Sequence, residues 1–575
     1  MSGTAGGSGA GIPPAPAVPG RRTPALLLAA AGLAVATWLL HGYQFGVWPQ
    51  LDPLEQILAM RGDLRGDWYT SHAPAHWVFD HLAALLPARA LEPVFALVWA
   101  GSLVAFWLGF TLLGLDLGLG LGAIVAAGLI GARTSFAGFG ASALLPPMLL
   151  PSGLGDAAAM FAVRFALAGR WRPAGVSCGL ALLVHPRIGL LTLLVCTAAF
   201  LARGVRPAAG FALSALVIGG APLLRVIATL GLAHDVSPAR RFEWLAEARL
   251  PHHLVYSTFP AADYAAVAGW AALLIAALIA TRPAPWQTAW GLFLGAIALL
   301  CAAGAVASAR GGPTPLVELH TAWVSNWIPL LAVLAASAAF VKRRPRAGTL
   351  ALFAVPAVTA AIAPAAAVLL GRVGLPGLPA HHLQALPLLA LAAAFGAVSG
   401  QEWAWVRAPG PAAGLALALA ILGFVASGWR WPARQAAAPE WRDIAERARQ
   451  VSRPEDTFVT PPDQDGFSFL SHRPIVADFG NIPPDGLGAW QERLQALTGD
   501  PDALSGGIAG GLEARTRRIA EGYDRTVLAS PAVARRYGAT YIVTRLGLAP
   551  APPWAERVAA NGRYALYRVA GGGTP

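Results

Sequence analysis

Arg61 to Trp77 reads RGDLRGDWYTSHAPAHW, and it places Asp63 and Asp67 four residues apart among arginines, histidines and aromatics. A carboxylate in such a loop can take the proton of an attacking hydroxyl, or can ligate a divalent cation. The competing reading is an interfacial loop whose aspartates cap helices and whose Trp68 and Tyr69 sit at a membrane–water boundary. Asp52, Glu55 and Asp80 flank the stretch. In LDPLEQILAM the proline after Asp52 predicts a helix starting there, with Asp52 as its N-cap. HWVFDHLAALL predicts an amphipathic helix lying on a membrane surface, with His76 and Asp80 on one solvated face.

A second group is RLPHHLVYSTF, which brings Arg249, His252, His253 and Tyr256 within eight residues. Arginine binds phosphate oxygens in pairs, and histidine can donate to a departing phosphate. Two adjacent histidines on an extended segment point opposite ways, so they would not chelate one metal. The plainer reading is a loop facing lipid headgroups. A third is His185-Pro186-Arg187, between two apolar runs. Ionisable groups at membrane depth are costly and mark paired or functional positions. Alternatively this is a helix end at the outer surface from which Arg187 snorkels. Arg164 and Arg225 lie within apolar runs and each needs a partner. Asp156 lies eight residues from Arg164, roughly 12 Å along a helix, and is not the obvious one.

The elements that must hold these groups are membrane spans. Of 575 residues, 56% are hydrophobic and 13% charged, and the mean hydropathy is +0.55. Soluble domains carry about 25% charged residues. Apolar runs near 24–41, 91–114, 117–132, 154–169, 173–186, 187–203, 207–229, 264–281, 286–304, 323–341, 349–371, 383–400 and 411–429 approach the ~20 residues needed to cross a bilayer. The pair 173–186 and 187–203 reads either as one broken helix or as a re-entrant hairpin. Residues 1–23 read as a disordered cytoplasmic tail. The run after Pro24 reads as an uncleaved first span, with a cleaved signal as the alternative.

Of the 42 Lys and Arg, 24 precede Arg430, against 14 acids, while the tail carries 18 against 16. With the N-terminus inside, the inner connectors are basic, VKRRPRAG above all, so the excess charge reads as topology. It excludes nucleic-acid binding, since no basic stripe lies in a soluble domain. The long connectors 42–90, 231–263 and 306–322, the last containing VELHTAW, then face outward together with residues 430–575. The tail alternates helical and β-like runs (DTFVTPP, RPIVADF, YIVT, RYALYRV) and reads as an extracytoplasmic α/β domain. Cys178, Cys196 and Cys301 all fall in apolar runs, which excludes a disulfide framework. Walker A, HExxH and GxSxG motifs are absent from the sequence.

This architecture resembles the GT-C superfamily of integral-membrane glycosyltransferases. The resemblance is carried by GYQFGVWPQLDPLEQILAMRGDLRGDWYT, LVHPRIGL, RLPHHLVYSTF and DTFVTPPDQDGFSFLSHRPIVADFGNIP, which look like a bacterial branch of that superfamily. It implies a helical domain over 24–429 of about 13 spans and a polyprenyl-phosphate-linked sugar donor. It further implies a glycan or lipid acceptor and a place in the bacterial inner membrane. The family's first-loop catalytic carboxylate maps onto Asp67 or Asp63, with Asp67 preferred as nearer the second span. Arg249, His252 and His253 match the second-loop motif and His185 the membrane-edge histidine, with Tyr256 beside them. The pair is DLRGD and not a strict DxD, which leaves metal dependence open between no cofactor and a divalent cation. A transporter or flippase of lipid-linked substrates and a non-catalytic scaffold are the competing readings.

Overall fold

The computed structural model describes residues 23–41, 43, 45–46, 48–72, 76–134, 139, 144–146, 148–232, 235–281, 287–342, 439–483, 485–505, 511–547 and 551–570. The spans expected at 349–371, 383–400 and 411–429 lie outside the described residues.

The apolar runs among the described residues fold as helices. These are α1 (Thr23–His41), α4 (Ala88–Asp116), α5 (Leu121–Thr134), α6 (Pro151–Leu167), α7 (Trp171–Val184), α8 (Pro186–Leu201), α9 (Val205–Leu232), α12 (Ala261–Ala280), α13 (Gln287–Ala309) and α15 (Trp327–Lys342). Short elements fill the loops between them: α2 (Trp48–Met60), α3 (Trp77–Ala84), α10 (Pro238–Arg241), a π-helical turn (Phe242–Arg249), α11 (Pro251–Leu254), α14 (Thr314–Glu318) and a 3-10 turn (Thr321–Asn326). Among the described residues, four stretches are long and apolar enough to cross a membrane: Ala88–Asp116, Val205–Ala228, Gln287–Ala309 and Thr314–Ala339. Leu97, Leu213, Val217, Leu224 and Leu299 are exposed on these helices. In water that would cost hydrophobic free energy, whereas hydrocarbon solvates it. The helical region is that of a multi-pass membrane protein.

The ambiguous pair is two helices. Pro186 starts α8, and His185, at the end of α7, accepts the Ile188 N–H on its ring nitrogen, capping the new helix. Cys178 Sγ reaches Gly189 O at 3.5 Å, so the two helices lie side by side. A Cβ at Gly189 would run into the backbone of Leu182, which is why a glycine stands there. Arg164 finds its partner in Asp116, at the end of α4, at 2.8 Å.

Two expectations about the first loop change. Helix α2 begins at Trp48, so Asp52 lies inside it and accepts from the Tyr69 hydroxyl instead of capping it. Helix α3 does not present a solvated acidic face: Asp80 is 1% exposed, because α3 packs against α2 and α7.

The C-terminal region forms α16 (Pro439–Val451), α17 (Phe467–Ser471), α18 (Leu487–Thr498), α19 (Gly511–Ala529) and α20 (Ala532–Arg536) around a sheet. Strand order is β1 (Phe458–Val459), β2 (Tyr541–Arg545), β4 (Tyr564–Val569), β3 (Ala555–Ala560), with β1 parallel to β2 and the others antiparallel. Trp441, Ile444 and Ala448 bury the apolar stripe of α16 against this sheet. RPIVADF contributes only a single bridge, Phe458 to Ile475. Its backbone is used elsewhere.

Candidate active site

Helix α2 carries Glu55 into contact with the C-terminal domain. Glu55 is 1% exposed. Its Oε2 accepts from Asn481 Nδ2 at 2.7 Å, while Oε1 is buried with no hydrogen-bond partner among the described residues. Asn481 follows an Asx-type turn: its backbone N–H and side-chain amide both donate to Asp478, at 2.6 and 3.0 Å. Asp67 is 2% exposed. Its two oxygens accept backbone N–H groups, from Ile475 at 3.2 Å and Thr70 at 3.0 Å, so it fastens the first loop to the RPIVADF segment. Asp63 pairs with Arg61 at 2.8 Å, and its side chain is 36% exposed.

Arg249 enters from the second loop at the end of the π-helical turn. It donates to Gly480 O at 3.2 Å and lies over the Phe479 ring. Its charge acts on Asp465 and Asp478. Burial raises the carboxyl pKa of Glu55 well above its ordinary value, and the neighbouring charges of Asp478, Asp67, Asp52 and Asp465 raise it further. Asp478 is raised for the same reasons, with Arg249 and the Asn481 N–H opposing. Like charges this close in a poorly hydrated site cannot all ionise, so protons are retained.

The histidines form a second array beside the first. Ring centroids run from His76 to His185 at 4.8 Å, His185 to Trp323 at 6.2 Å and Trp323 to His320 at 4.3 Å. The row continues from His320 to His253 at 6.2 Å and from His253 to His252 at 4.1 Å. His252 and His253 therefore lie side by side on a helical turn, not splayed on an extended segment as the sequence suggested. Burial first, and then the charge of Arg187, push His76 down to about 3. His252 falls to about 4 through burial, His253 and Arg249. The His76 and His252 rings are therefore neutral near pH 7. The atoms His76 Nδ1, His252 Nδ1, His320 Nδ1 and Trp323 Nε1 are buried without hydrogen-bond partners among the described residues. His320 also holds a left-handed backbone, φ 57°, a strained choice for a non-glycine residue.

Arg187 links the arrays electrostatically, since its charge acts on Asp52 of the first and on His76, His185 and His320 of the second. Tyr256 stands apart: its hydroxyl faces Thr321 Oγ1 at 3.2 Å, and its ring packs on Phe139 and Phe259. Among the described residues no three His, Cys, Asp or Glu side chains are grouped to hold a metal ion.

Of the sequence candidates, the fold brings Asp67, Arg249, His185, His252 and His253 to one end of the bundle and leaves Asp63 and Tyr256 at the margins. It adds Glu55, Asp465, Asp478, Asn481, His76, Arg187, His320 and Trp323. Several of these were in view as letters. His320 and Trp323 sit in VELHTAW, and Asp465, Asp478 and Asn481 in the tail wording, but nothing local marks them as neighbours of loop residues hundreds of positions away.

Residues 439–497 match a family model described as a domain of unknown function, DUF6798. No curated protein matches the chain. Among solved structures, the chain is similar to ArnT from Cupriavidus metallidurans bound to undecaprenyl phosphate, at 18% identity, 96% of this chain, 99% of that one and a TM-score of 0.47. It is also similar to the arabinofuranosyltransferase AftD from Mycobacteria, at 15% identity, 95% of this chain and a TM-score of 0.48, spanning 40% of AftD's length.

Proposed function

We propose that this chain is a GT-C-type glycosyltransferase that moves a sugar from a polyprenyl-phosphate-linked donor to a glycan or lipid acceptor on the outer face of the bacterial inner membrane. One observation carries the reading. Glu55, a buried carboxyl with one oxygen uncommitted among the described residues, feels the charge of Asp52, and Asp52 in turn faces the charge of Arg187, which also acts on the imidazoles of His76, His185 and His320.

Single displacement needs both halves. The acceptor hydroxyl gives its proton to a carboxylate as its oxygen bonds the anomeric carbon. The bond from that carbon to the lipid phosphate breaks, and the electron pair leaves with the phosphate. Glu55 Oε1 is the group best placed to take the proton. A raised pKa makes it a stronger base once ionised. Asp67, whose oxygens already accept backbone donors, is the second candidate. Arg187, His320, His252 and Trp323 supply donors for the developing phosphate charge. Inversion at the anomeric carbon follows. In this orientation the N-terminus is cytoplasmic and the C-terminal domain extracytoplasmic, in line with the basic inner connectors.

The test is mass spectrometry of lipid-linked sugars and envelope glycans in a deletion strain, complemented with wild type, Glu55→Gln or Asp67→Asn. The reading expects the deletion to accumulate a lipid-linked sugar and lose a glycan modification, and Glu55→Gln to leave both defects. Unaltered lipid-linked sugars and glycans in the deletion strain would sink it. Restoration by Glu55→Gln but not by Asp67→Asn would move the base to Asp67.

A further inference from the structure

The tail domain reaches Glu55 with an atom that the proposed chemistry has not yet used. Asn481 Nδ2 donates to Glu55 Oε2 at 2.7 Å and to Asp478 Oδ2 at 3.0 Å. Both partners are carboxyl oxygens, and the amide presents its NH2 here, giving one hydrogen to each. Carboxyls from two separate domains are thus bridged by a single side chain. The carrier segment is itself fixed. Two indoles donate to backbone carbonyls of aspartates that precede Asn481, Trp441 to Asp465 O at 3.0 Å and Trp490 to Asp478 O at 2.9 Å. Both tryptophans are essentially buried, at 2% and 0% exposure. Phe479 N–H closes the segment onto Pro462 O at 2.7 Å. Asp67 Oδ1 on Ile475 N–H and Arg249 on Gly480 O clamp it to the first and second loops.

We propose that Asn481 and Asp478 are positioning residues supplied by the C-terminal domain, which hold Glu55 as the proton acceptor and leave its Oε1 for the acceptor hydroxyl. The domain is then part of the catalytic unit and not a cap over it. This rests on the glycosyltransferase reading for the identity of the hydroxyl, but the bridge itself does not. The two residues push Glu55 in opposite directions. The Asn481 hydrogen bond favours the ionised carboxylate, whereas the Asp478 charge disfavours it. The other groups facing Glu55 are Asp52 and Tyr69 on the α2 side, Asp67 in the first loop, and Asp465 in the tail, with Arg249 acting on Asp465 and Asp478. All of these stay in place in the variants below.

The experiment uses purified full-length protein in lipid vesicles. The infrared band of the Glu55 carboxyl, identified by its loss in Glu55→Gln, is titrated without any donor. Asn481→Ala is expected to move its midpoint up and Asp478→Asn to move it down, each by about half a unit to one unit, the worth of one hydrogen bond or one close charge. Transfer is then followed with lipid-linked sugar extracted from the deletion strain as donor and that strain's membranes as acceptor. The acid limb of the pH profile is expected to move with the infrared midpoint in each variant. Midpoints that stay put, or that move the same way in both variants, overturn the proposal. Should Asn481→Ala fail to fold, the downward shift in Asp478→Asn still decides it. Opposite infrared shifts in a protein with no transfer would keep the bridge and discard the glycosyltransferase reading.

Discussion

The two ends of the helical region are built on different terms. At one end lie the turns after α4, α6 and α8, each only a few residues long. Gly118 and Gly169 take positive φ there, 82° and 78°, which lets the chain reverse without a Cβ clash. Two arginines at this end have partners: Arg164 binds Asp116, and Arg203 donates to Leu167 O at 3.0 Å. At the other end, roughly 43 Å away along α4, the connections are long and the polar groups crowd together. Carboxyls face carboxyls, imidazoles face imidazoles, and several buried donors and acceptors lack partners among the described residues. A folded chain tolerates such unmatched groups only where something other than stability maintains them. The contrast teaches where to look for function: at the end whose electrostatics are unresolved.

Four measurements break or sharpen that contrast. The largest effect belongs to Glu55→Gln, expected to lower transfer by about 10²–10⁴-fold, the usual worth of a general base, with membrane insertion and thermal midpoint retained. Next is Arg187→Ala, expected to weaken binding of undecaprenyl phosphate to the vesicle-embedded protein by roughly 10- to 100-fold, the loss of a hydrogen bond to a charged group. Unchanged affinity would remove the phosphate role from that residue. At the opposite end, Asp116→Ala should leave transfer intact and cost about 1–3 kcal/mol of stability, because the largely buried Arg164 loses its counter-charge. A variant that lost transfer but kept its stability would erase the distinction between the ends.

The smallest effect concerns pH. Burial, then the Asp52 charge, raise Asp80 from 3.8 to about 8. Between those values the folded chain holds a proton that the unfolded chain has released, so stability falls as pH rises through that window. Asp80→Asn should therefore raise the thermal midpoint more at pH 8 than at pH 5. His76 works the other way: its value of about 3 makes stability fall as pH drops below about 6.5.

Much of the frame was legible in the letters. The described helices follow the apolar runs because a run of apolar side chains selects its solvent and its hydrogen-bonding pattern at once. The amphipathic spacing of Trp441, Ile444, Ala448 and Val451 points to α16 in the same way, although Val451 at the helix end is exposed and not part of the buried stripe. Strand β3 escaped notice because Ala555–Ala560 is an edge strand with a bulge between Arg557 and Ala559, so it lacks the alternation that marks a strand with one buried face. The N-cap assigned to Asp52 failed because helix α2 runs through Pro53, in a region where propensity is weaker than packing against α3 and α17.

By itself the sequence determined solvent and polarity: which segments are greasy enough for a bilayer, and which loops hold ionisable groups. Those properties are sums over neighbouring residues and need no partner to be read. Tertiary structure decided which of many carboxyls matters. Asp67 and Glu55 look alike as letters, yet one has its oxygens taken by backbone N–H groups and the other keeps one oxygen uncommitted among the described residues. Hydrogen-bond satisfaction and charge density are set by atoms more than 400 positions distant, and no local pattern encodes them.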